Sequence, residues 1–321
     1  MTITQQVTSA PLVAVVGATG VQGGSVIKAL AESDKPYRIR GFTRDVTKAA
    51  AQTLKKRGVE MVTVNLVVEN KEEVYKAFAG ADYAFLVTNF WEHMNTEKEV
   101  SEGKLLIDAA KAAGVKGIVW SGLLPVKKIS GGKYTKVVYF DGKAAVTDYG
   151  RASGVPFVDV QAGWYTSNLL AIPAFLAKQL DGTYALPWSI RPTTVVPMID
   201  MENDYGLYVR KVLEQPVFPD GSALYTSSED ISAEELARQL SEVTGKKVVF
   251  KQVTGEEFAN AFLTLGYPAT VTGALIEVFQ YFDEFGCYGG QPTAPSREGL
   301  ARPTRTFAEF AESADWSKVF A

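Results

Sequence analysis

The sequence has only one cysteine and one histidine in 321 residues, Cys287 and His93. A single cysteine excludes an internal disulfide, and a single histidine excludes a metal site built from a cluster of Cys and His ligands. The chain also lacks an uninterrupted apolar run of about 18 to 20 residues, the length that a membrane-spanning helix needs. We therefore expect no bound metal and no membrane partner.

The sequence also lacks a strong excess of charge of either sign, because 33 Lys and Arg stand against 36 Asp and Glu. The net charge of -3 predicts no general attraction to nucleic acid or to an anionic membrane. The first residues contain no basic segment followed by an apolar one, so no secretory signal is indicated. We expect a cytoplasmic protein that acts on a small-molecule substrate or a regulatory protein partner. Its oligomeric state stays open.

The first half of the sequence contains an alternation of strand-like and helix-like segments. Strand patterns cover residues 12–17, 37–44, 59–66, 81–89, 115–122 and 155–163. Helical periodicity covers residues 22–33, 46–57, 71–79, 96–113 and 138–153. This alternation predicts an α/β protein of Rossmann type, with a doubly wound parallel sheet and helices on both of its faces.

After residue 163 the strict alternation stops, and no linker separates the two halves. Helix starts are still indicated, because Ser232, Thr254 and Thr306 each precede a glutamate at capping-box spacing. The aromatic residues of this half, such as Trp164 and Trp188, are more typical of a core than of an aromatic-accepting pocket. We expect residues 164–321 to form a smaller, helix-rich α/β region packed on the sheet edge, as the other wall of a pocket.

The first predicted strand runs into a glycine-rich turn that opens a helix. Gly17, Gly20 and Gly23 have the spacing and the context of a dinucleotide-binding fingerprint. The first glycine permits a tight turn, the second lets the backbone approach a pyrophosphate, and the third lets helix and strand pack closely. The alternative is a glycine turn without a ligand, but its position ahead of five more strands favours a dinucleotide.

The end of the second predicted strand, "GFTRD", indicates which dinucleotide is bound. Thr43 and Arg44 stand where NAD-binding proteins tend to place an acidic residue that accepts from the ribose hydroxyls. An arginine there accommodates the additional phosphate of NADP. Asp45 follows directly and weakens this argument, and a solvated surface arginine is the alternative. We expect NADP(H) as the cofactor and residues 1–163 as its binding domain.

The segments "VVGATGVQGGSV", "EVSEGKLLIDAAKAAGVKGIVWSG" and "YFDGKAAVTDYGRASGVPF" resemble the NmrA-like family of atypical short-chain dehydrogenase/reductases. The resemblance covers nearly the whole chain and is closest to the NADPH-sensing branch. It implies a Rossmann domain that binds NADP(H), followed by a small α/β region. Because the family contains reductases and also regulators with little or no turnover, the resemblance leaves both functions open.

The resemblance also implies cofactor contacts at the ends of several strands. The positions that match the diphosphate loop are Gly17, Thr19, Gly20, Val21, Gln22 and Gly23. The positions that match the 2′-phosphate site and the ribose and nicotinamide contacts are Thr43, Arg44, Thr88, Asn89, Lys143, Tyr165 and Asn168. The sequence departs from the family at Asn65 and Leu66, where relatives usually carry Gly-Asp, which leaves the adenine contacts open.

Three further positions suggest reductase chemistry. Tyr139 and Lys143 have Tyr-x-x-x-Lys spacing, which places both side chains on one helix face, and Ser121 ends the fifth predicted strand. In short-chain reductases the lysine lowers the pKa of the tyrosine, which donates a proton to a carbonyl oriented by the serine. This pattern predicts a reductase that passes hydride to a small carbonyl, quinone or conjugated substrate.

The alternative is that Tyr139 only packs and that Lys143 contributes through the cofactor alone. Regulator-like relatives carry a histidine at the position of Tyr139, so this residue is a departure from them. Under the alternative, the protein is a non-catalytic NADPH/NADP redox sensor that regulates a protein partner.

Overall fold

The computed structural model describes Ile3 and residues 9–320. Most of the first residues, for which no secretory signal is expected, lie outside this range. The strands of the first half are β1 Leu12–Val15, β2 Arg38–Thr43, β3 Glu60–Thr63, β4 Tyr83–Leu86, β5 Gly117–Trp120 and β6 Phe157–Gln161. The helices are α1 Val21–Ala31, α2 Ala49–Lys56, α3 Lys71–Phe78, α4 Thr96–Ala112, α5 Val126–Ile129 and α6 Val138–Arg151. Every strand and helix predicted for this half is therefore present.

The second half contains shorter strands and more helices. Its strands are β7 Trp164–Tyr165, β8 Ala177–Lys178, β9 Tyr184–Trp188, β10 Val195–Ile199, β11 Ala223–Tyr225, β12 Glu229–Ser232 and β13 Val248–Gln252. Its helices are α7 Asn168–Ala171, α8 Tyr205–Glu214, α9 Ala233–Thr244, α10 Gly255–Thr264, α11 Ala269–Phe285, α12 Ala294–Arg297 and α13 Phe307–Ser313. Thr254 and Thr306 form complete capping boxes, and the Ser232 hydroxyl accepts from the Glu235 amide, as their spacing predicts.

Seven strands form one sheet in the order β3-β2-β1-β4-β5-β6-β11, and every neighbouring pair is parallel. The strand order reverses direction between β1 and β4, which confirms the doubly wound prediction. In open sheets of this kind the ligand crevice lies at that switch point, outside the carboxyl ends of the strands. The turn after β1 and the loop after β4 therefore form the expected binding edge.

The central strand is buried on both faces because helices cover each side of the sheet. Val13 and Val15 of β1 belong to one core cluster with Tyr205 of α8. Ala14 between them belongs to a second cluster with Phe78 and Leu106, which lie on α3 and α4. Alternate side chains of one strand thus enter opposite layers, as the period of two requires.

Residues after 163 complete the large sheet and cover part of one of its faces. Strand β11 pairs with β6 at the sheet edge. Helix α8 packs on α1 so closely that a Cβ on Gly206 would lie 2.0 Å from the Ser25 backbone oxygen. The Gly206 amide donates a hydrogen bond of 2.9 Å to the Ser25 hydroxyl. The proposed division at residue 163 therefore separates regions that share one sheet.

The remaining strands form two three-stranded sheets, β12-β10-β7 and β13-β9-β8, covered by helices of the second half. The aromatic residues of this region lie in one buried cluster: Trp164, Phe175, Trp188, Phe258, Phe262, Phe279, Tyr281 and Phe282. These residues form a core, as expected for the aromatic residues of this half of the chain. Within the described part of the chain, no helix is long and apolar enough to cross a bilayer.

Candidate dinucleotide site

The glycine turn after β1 requires two of its glycines for its own geometry. Gly17 has φ +66°, a left-handed conformation that favours glycine. A Cβ on Gly23 would lie 2.2 Å from the Gly17 carbonyl oxygen, whereas a Cβ on Gly20 would lie 3.2 Å from the same atom. The Gly20 amide donates a hydrogen bond of 2.8 Å to that oxygen. Gly17 and Gly23 therefore build the turn, and Gly20 leaves space on its exposed side.

The N-terminus of α1 fits an anionic group. No side chain caps this end of the helix, and its first turn contains no acidic residue. The unpaired amides and the positive end of the helix dipole favour a phosphate there. Thr19, Gly20 and Val21 are exposed at this end, and Gln22 is partly buried behind them. This cradle fits the pyrophosphate of a dinucleotide, as the glycine spacing predicts.

Thr43 is the last residue of β2 and Arg44 follows it, at the strand end where a 2′-phosphate is expected. The Arg44 side chain is 68% exposed and forms an ion pair with Glu92. Asp45 is already engaged, because its carboxylate accepts from the Thr47 amide at 2.8 Å and the Thr47 hydroxyl at 2.6 Å. These hydrogen bonds lower the pKa of Asp45. The nearby carboxylate that weakened the NADP assignment therefore faces its own turn.

Lys143 of α6 reaches the carboxyl end of β4 and meets Thr88 there. Its Nζ donates to the Thr88 carbonyl and hydroxyl oxygens at 2.9 Å each, and lies 3.0 Å from Glu99 Oε1. The Thr88 hydroxyl also donates to Glu99 at 2.8 Å. Burial lowers the pKa of the Lys143 ammonium, and the Glu99 charge opposes that effect. The structure thus joins Lys143 and Thr88, and adds a residue that the sequence did not indicate.

A signal for Glu99 was present in the helix pattern. Glu99, Gly103, Leu106 and Ala110 lie three or four residues apart and are all buried on one face of α4. A glutamate within an apolar stripe is costly to bury unless it is paired, and so indicates a partner elsewhere in the fold. The partner itself is 44 residues away and cannot be read from that pattern.

Side-chain hydrogen bonds join Gln22 in the first turn of α1 to Ser121, directly after β5, and to Tyr165, at the end of β7. The Gln22 amide nitrogen donates to the Ser121 hydroxyl at 3.0 Å and to the Tyr165 hydroxyl at 2.9 Å. Ser121 lies at the predicted strand end, but it is only 2% exposed. Its hydroxyl is therefore covered by Gln22, and its role toward a substrate stays a prediction.

Tyr139 lies one turn before Lys143 on α6, as predicted, but the two groups do not act on each other in the expected way. The Tyr139 ring packs against Trp91 and Phe90, with centroids 5.1 Å and 5.7 Å away. Burial raises the pKa of Tyr139 above its ordinary value. The Lys143 ammonium is directed at Glu99 and Thr88 and is not among the groups that shift this pKa, so the proton-donor role of Tyr139 stays a prediction.

The two predicted asparagines lie at the outer parts of the same edge. Asn89 is exposed after β4, and its carbonyl accepts from the Glu92 amide at 3.3 Å. Asn168 begins α7 and is partly buried. Among the described residues, neither side chain hydrogen-bonds another predicted site residue, so their cofactor contacts stay predictions.

Asp159 of β6 is a second buried carboxylate that the sequence did not indicate. It accepts from the Gly122 amide at 3.1 Å, the Thr147 hydroxyl at 3.2 Å and the Gln161 amide at 2.9 Å. Burial raises the pKa of Asp159 to about 6, against the effect of these hydrogen bonds. Its charge also favours the protonated form of Lys143.

A doubly wound parallel sheet with an uncapped helix and a glycine turn at its switch point defines the class of dinucleotide-binding α/β proteins. Comparison with known proteins then identifies the family. The model of the NmrA-like family matches residues 9–311, so this chain belongs to the NmrA-like family.

Several known proteins are similar over most of the chain. An NmrA-like family domain-containing protein of Dictyostelium discoideum is 29% identical, with 87% of this chain and 90% of the relative covered. The NmrA-like family domain-containing oxidoreductase FrzB of a Cladobotryum species is 30% identical, with 75% and 76% covered. An NAD(P)H azoreductase of Xenophilus azovorans is 28% identical, with 94% and 97% covered.

Solved structures confirm the fold. NmrA, a negative transcriptional regulator crystallised with NAD, has a TM-score of 0.81 at 21% identity, with 96% of each chain covered. The quinone oxidoreductase QOR2 of Escherichia coli, crystallised with NADPH, has a TM-score of 0.75 at 22% identity, with 96% of this chain and 100% of that chain covered. The fold is thus shared by a regulator and by an enzyme.

Proposed function

We propose that this protein binds NADP(H) and is an NADPH-dependent reductase for a small carbonyl, quinone or conjugated substrate. The observation that carries the proposal is the uncapped N-terminus of α1 at the sheet switch point, on the same edge as the Lys143 and Thr88 pair. Similar proteins that are named oxidoreductases, including the NAD(P)H azoreductase, support reductase chemistry.

The chain offers groups that would hold the diphosphate, the 2′-phosphate and the ribose on the nicotinamide side. The amides that follow Gly17 and Gly20 would hold the diphosphate, and the planar Arg44 guanidinium would hold the 2′-phosphate. Thr88 and Lys143 would contact the ribose on the nicotinamide side. When bound, the reduced nicotinamide supplies the hydride.

Reduction of a carbonyl also needs a proton for the oxygen while the carbon takes the hydride. Tyr139 is a neutral phenol at neutral pH, as tyrosines ordinarily are, so it has a proton to give, although burial raises its pKa and makes it a weaker acid. Lys143 is the other donor, and burial makes its ammonium more acidic than an exposed lysine. A quinone takes one hydride and one proton in total. If the hydride reaches a ring carbon, that hydrogen leaves as a proton when the ring becomes aromatic, and the second oxygen takes up a proton in exchange.

Tyr139→Phe separates binding from chemistry. If the phenol donates the proton, the variant keeps NADPH affinity but turns over about 10² to 10⁴ times more slowly, the usual contribution of a positioned acid. NADPH oxidation with quinones, aldehydes and enones measures the rate. Tyr149→Phe on the same helix is the control, because that hydroxyl bonds Asp108 away from the site. A Tyr139→Phe protein at full rate would assign the proton to Lys143 or to water.

The second candidate function is a redox sensor that binds NADPH without turnover and regulates a protein partner. It is favoured by the raised pKa of Tyr139 and by the engagement of Lys143 with Glu99, neither of which activates the tyrosine. A protein that binds NADPH and oxidises none of it with any acceptor of the panel would support the sensor over the reductase.

A further inference from the structure

Helices α4 and α6 approach each other closely at two glycines. A Cβ on Gly103 would lie 2.6 Å from a methyl carbon of Val146, and a Cβ on Gly142 would lie 3.0 Å from the Thr96 methyl carbon. A larger side chain at either position would push the helices apart. This approach is what lets Glu99 of α4 reach Lys143 of α6.

Glu99 is placed where a charge is costly. The residue is fully buried, and its Oε2 atom has no hydrogen-bond partner among the described residues. Its Oε1 atom bonds Thr88 and pairs with Lys143. An apolar side chain would continue the buried stripe of α4 and often serves stability as well as a buried ion pair does. Packing alone therefore does not explain a carboxylate at this position.

We propose that Glu99 is a positioning residue that holds the Lys143 side chain against Thr88 at the carboxyl end of β4 and keeps its amine protonated. The inference rests on the proposed function, in which Lys143 contacts the nicotinamide ribose. An ammonium held in this way can exchange one of its two Thr88 contacts for a ribose hydroxyl, whereas a neutral amine lacks the ion pair that holds it there.

Groups on helix α4 and on strands β5 and β6 surround the Lys143 ammonium. Glu99 faces it from α4 and Asp159 acts on it from β6, while the Trp120 ring of β5 lies 5.4 Å from Nζ. Both carboxylates raise the pKa of Lys143, and burial lowers it. Removing the Glu99 charge therefore lowers the pKa of Lys143 further.

Glu99→Gln tests this directly, since glutamine keeps the size and the hydrogen bond from Thr88. The pH dependence of Lys143 acetylation by acetic anhydride, followed by peptide mass spectrometry, reports its pKa without cofactor or turnover. We expect the midpoint in Glu99→Gln to fall about one to three pH units below that of the unmodified protein. Glu102→Gln on the same helix is the control, because Glu102 pairs with His93 and Lys98 instead. Equal midpoints would overturn the proposal.

A second measurement uses NADPH titration at increasing pH. The unmodified protein should lose affinity as Lys143 deprotonates, and Glu99→Gln should lose it at correspondingly lower pH. Affinity curves that coincide would also overturn the proposal. If the unmodified protein binds no NADPH, the proposed function fails, while acetylation still decides the pairing of Glu99 with Lys143.

The pairing also has a consequence for stability. Lys143→Met alone leaves a buried carboxylate without its ammonium, so the midpoint of urea unfolding should fall. Lys143→Met combined with Glu99→Gln should recover most of that loss. If the changes in unfolding midpoint caused by Lys143→Met alone and Glu99→Gln alone simply add in the double variant, the two charges do not interact and the proposal fails.

Discussion

At the residue scale, the site contains two cations in opposite environments. Arg44 is mostly exposed, and Glu92 is the partner that a phosphate would have to replace. Lys143 is enclosed by Glu99 and Thr88, which hold its ammonium in a fixed position. Replacing these two residues should therefore have different effects. Replacement of Arg44 should change the preference between NADPH and NADH, whereas replacement of Lys143 should change cofactor binding, turnover rate and stability together.

Arg44→Ala should remove most of the preference for NADPH. In the unmodified protein we expect NADPH to bind at least about tenfold more tightly than NADH, a difference of roughly 1.4 kcal/mol, because the guanidinium can pair bidentately with the 2′-phosphate. Fluorescence titration with each cofactor measures both affinities. Arg57→Ala, which removes an exposed arginine just after α2, should leave them unchanged. Equal affinities in the unmodified protein would reject the assignment.

At the scale of the element, the proposed phosphate site is the uncapped N-terminus of α1. This helix end is kept open by glycines that have different tasks. Gly23 is needed for contact between helix and turn, whereas Gly20 faces outward, where a phosphate would come close to the backbone. A substitution at Gly20 is thus the one that affects the ligand more than the turn.

Gly20→Val should abolish binding of both NADPH and NADH while the fold is largely retained. Its Cβ meets the Gly17 oxygen at 3.2 Å, which a small shift relieves, and the rest of the side chain enters the phosphate space. Isothermal titration and circular dichroism measure binding and fold. Gly24→Ala is the matched control, because its Cβ would lie 3.8 Å from the nearest atom, the Ala18 oxygen. Retained binding in Gly20→Val would mean that the cofactor lies elsewhere.

At the scale of the whole molecule, the two halves of the chain interlock. Strand β11 forms an edge of the large sheet, and the tyrosines of α8, Tyr205 and Tyr208, are fully buried in the core beneath the sheet. The Lys28 ammonium of α1 donates to the Asn203 side-chain oxygen at 2.6 Å. These contacts bind late chain segments to the dinucleotide-binding half.

A fragment of residues 1–163 should therefore not fold cooperatively by itself. It lacks β11, which covers β6, and α8, which covers α1, so a large apolar surface would be exposed to water. Urea unfolding followed by circular dichroism is the measurement, with the full chain as the reference. A fragment with its own sharp unfolding transition would show that the boundary at residue 163 separates an independent domain.

The sequence by itself determined the features that depend on neighbouring residues. Strand and helix periods, the tight turn at Gly17 and the capping boxes at Thr254 and Thr306 are local properties, and all were predicted. The strand alternation also predicted the parallel sheet, because short connections and handedness leave few arrangements. The proposed cofactor contacts of the glycine turn and of Arg44 rest on their places at strand ends.

Only the tertiary structure decided which distant side chains meet. Gln22 bonds Ser121 across 99 positions of the chain, and Lys143 bonds Thr88 across 55. The Tyr-x-x-x-Lys spacing correctly placed Tyr139 and Lys143 on one helix, but the pKa of each side chain depends on the residues that surround it. Burial and pairing depend on the packed positions of several elements at once, and this is why the pKa of Tyr139 and the role of Glu99 could not be predicted from spacing.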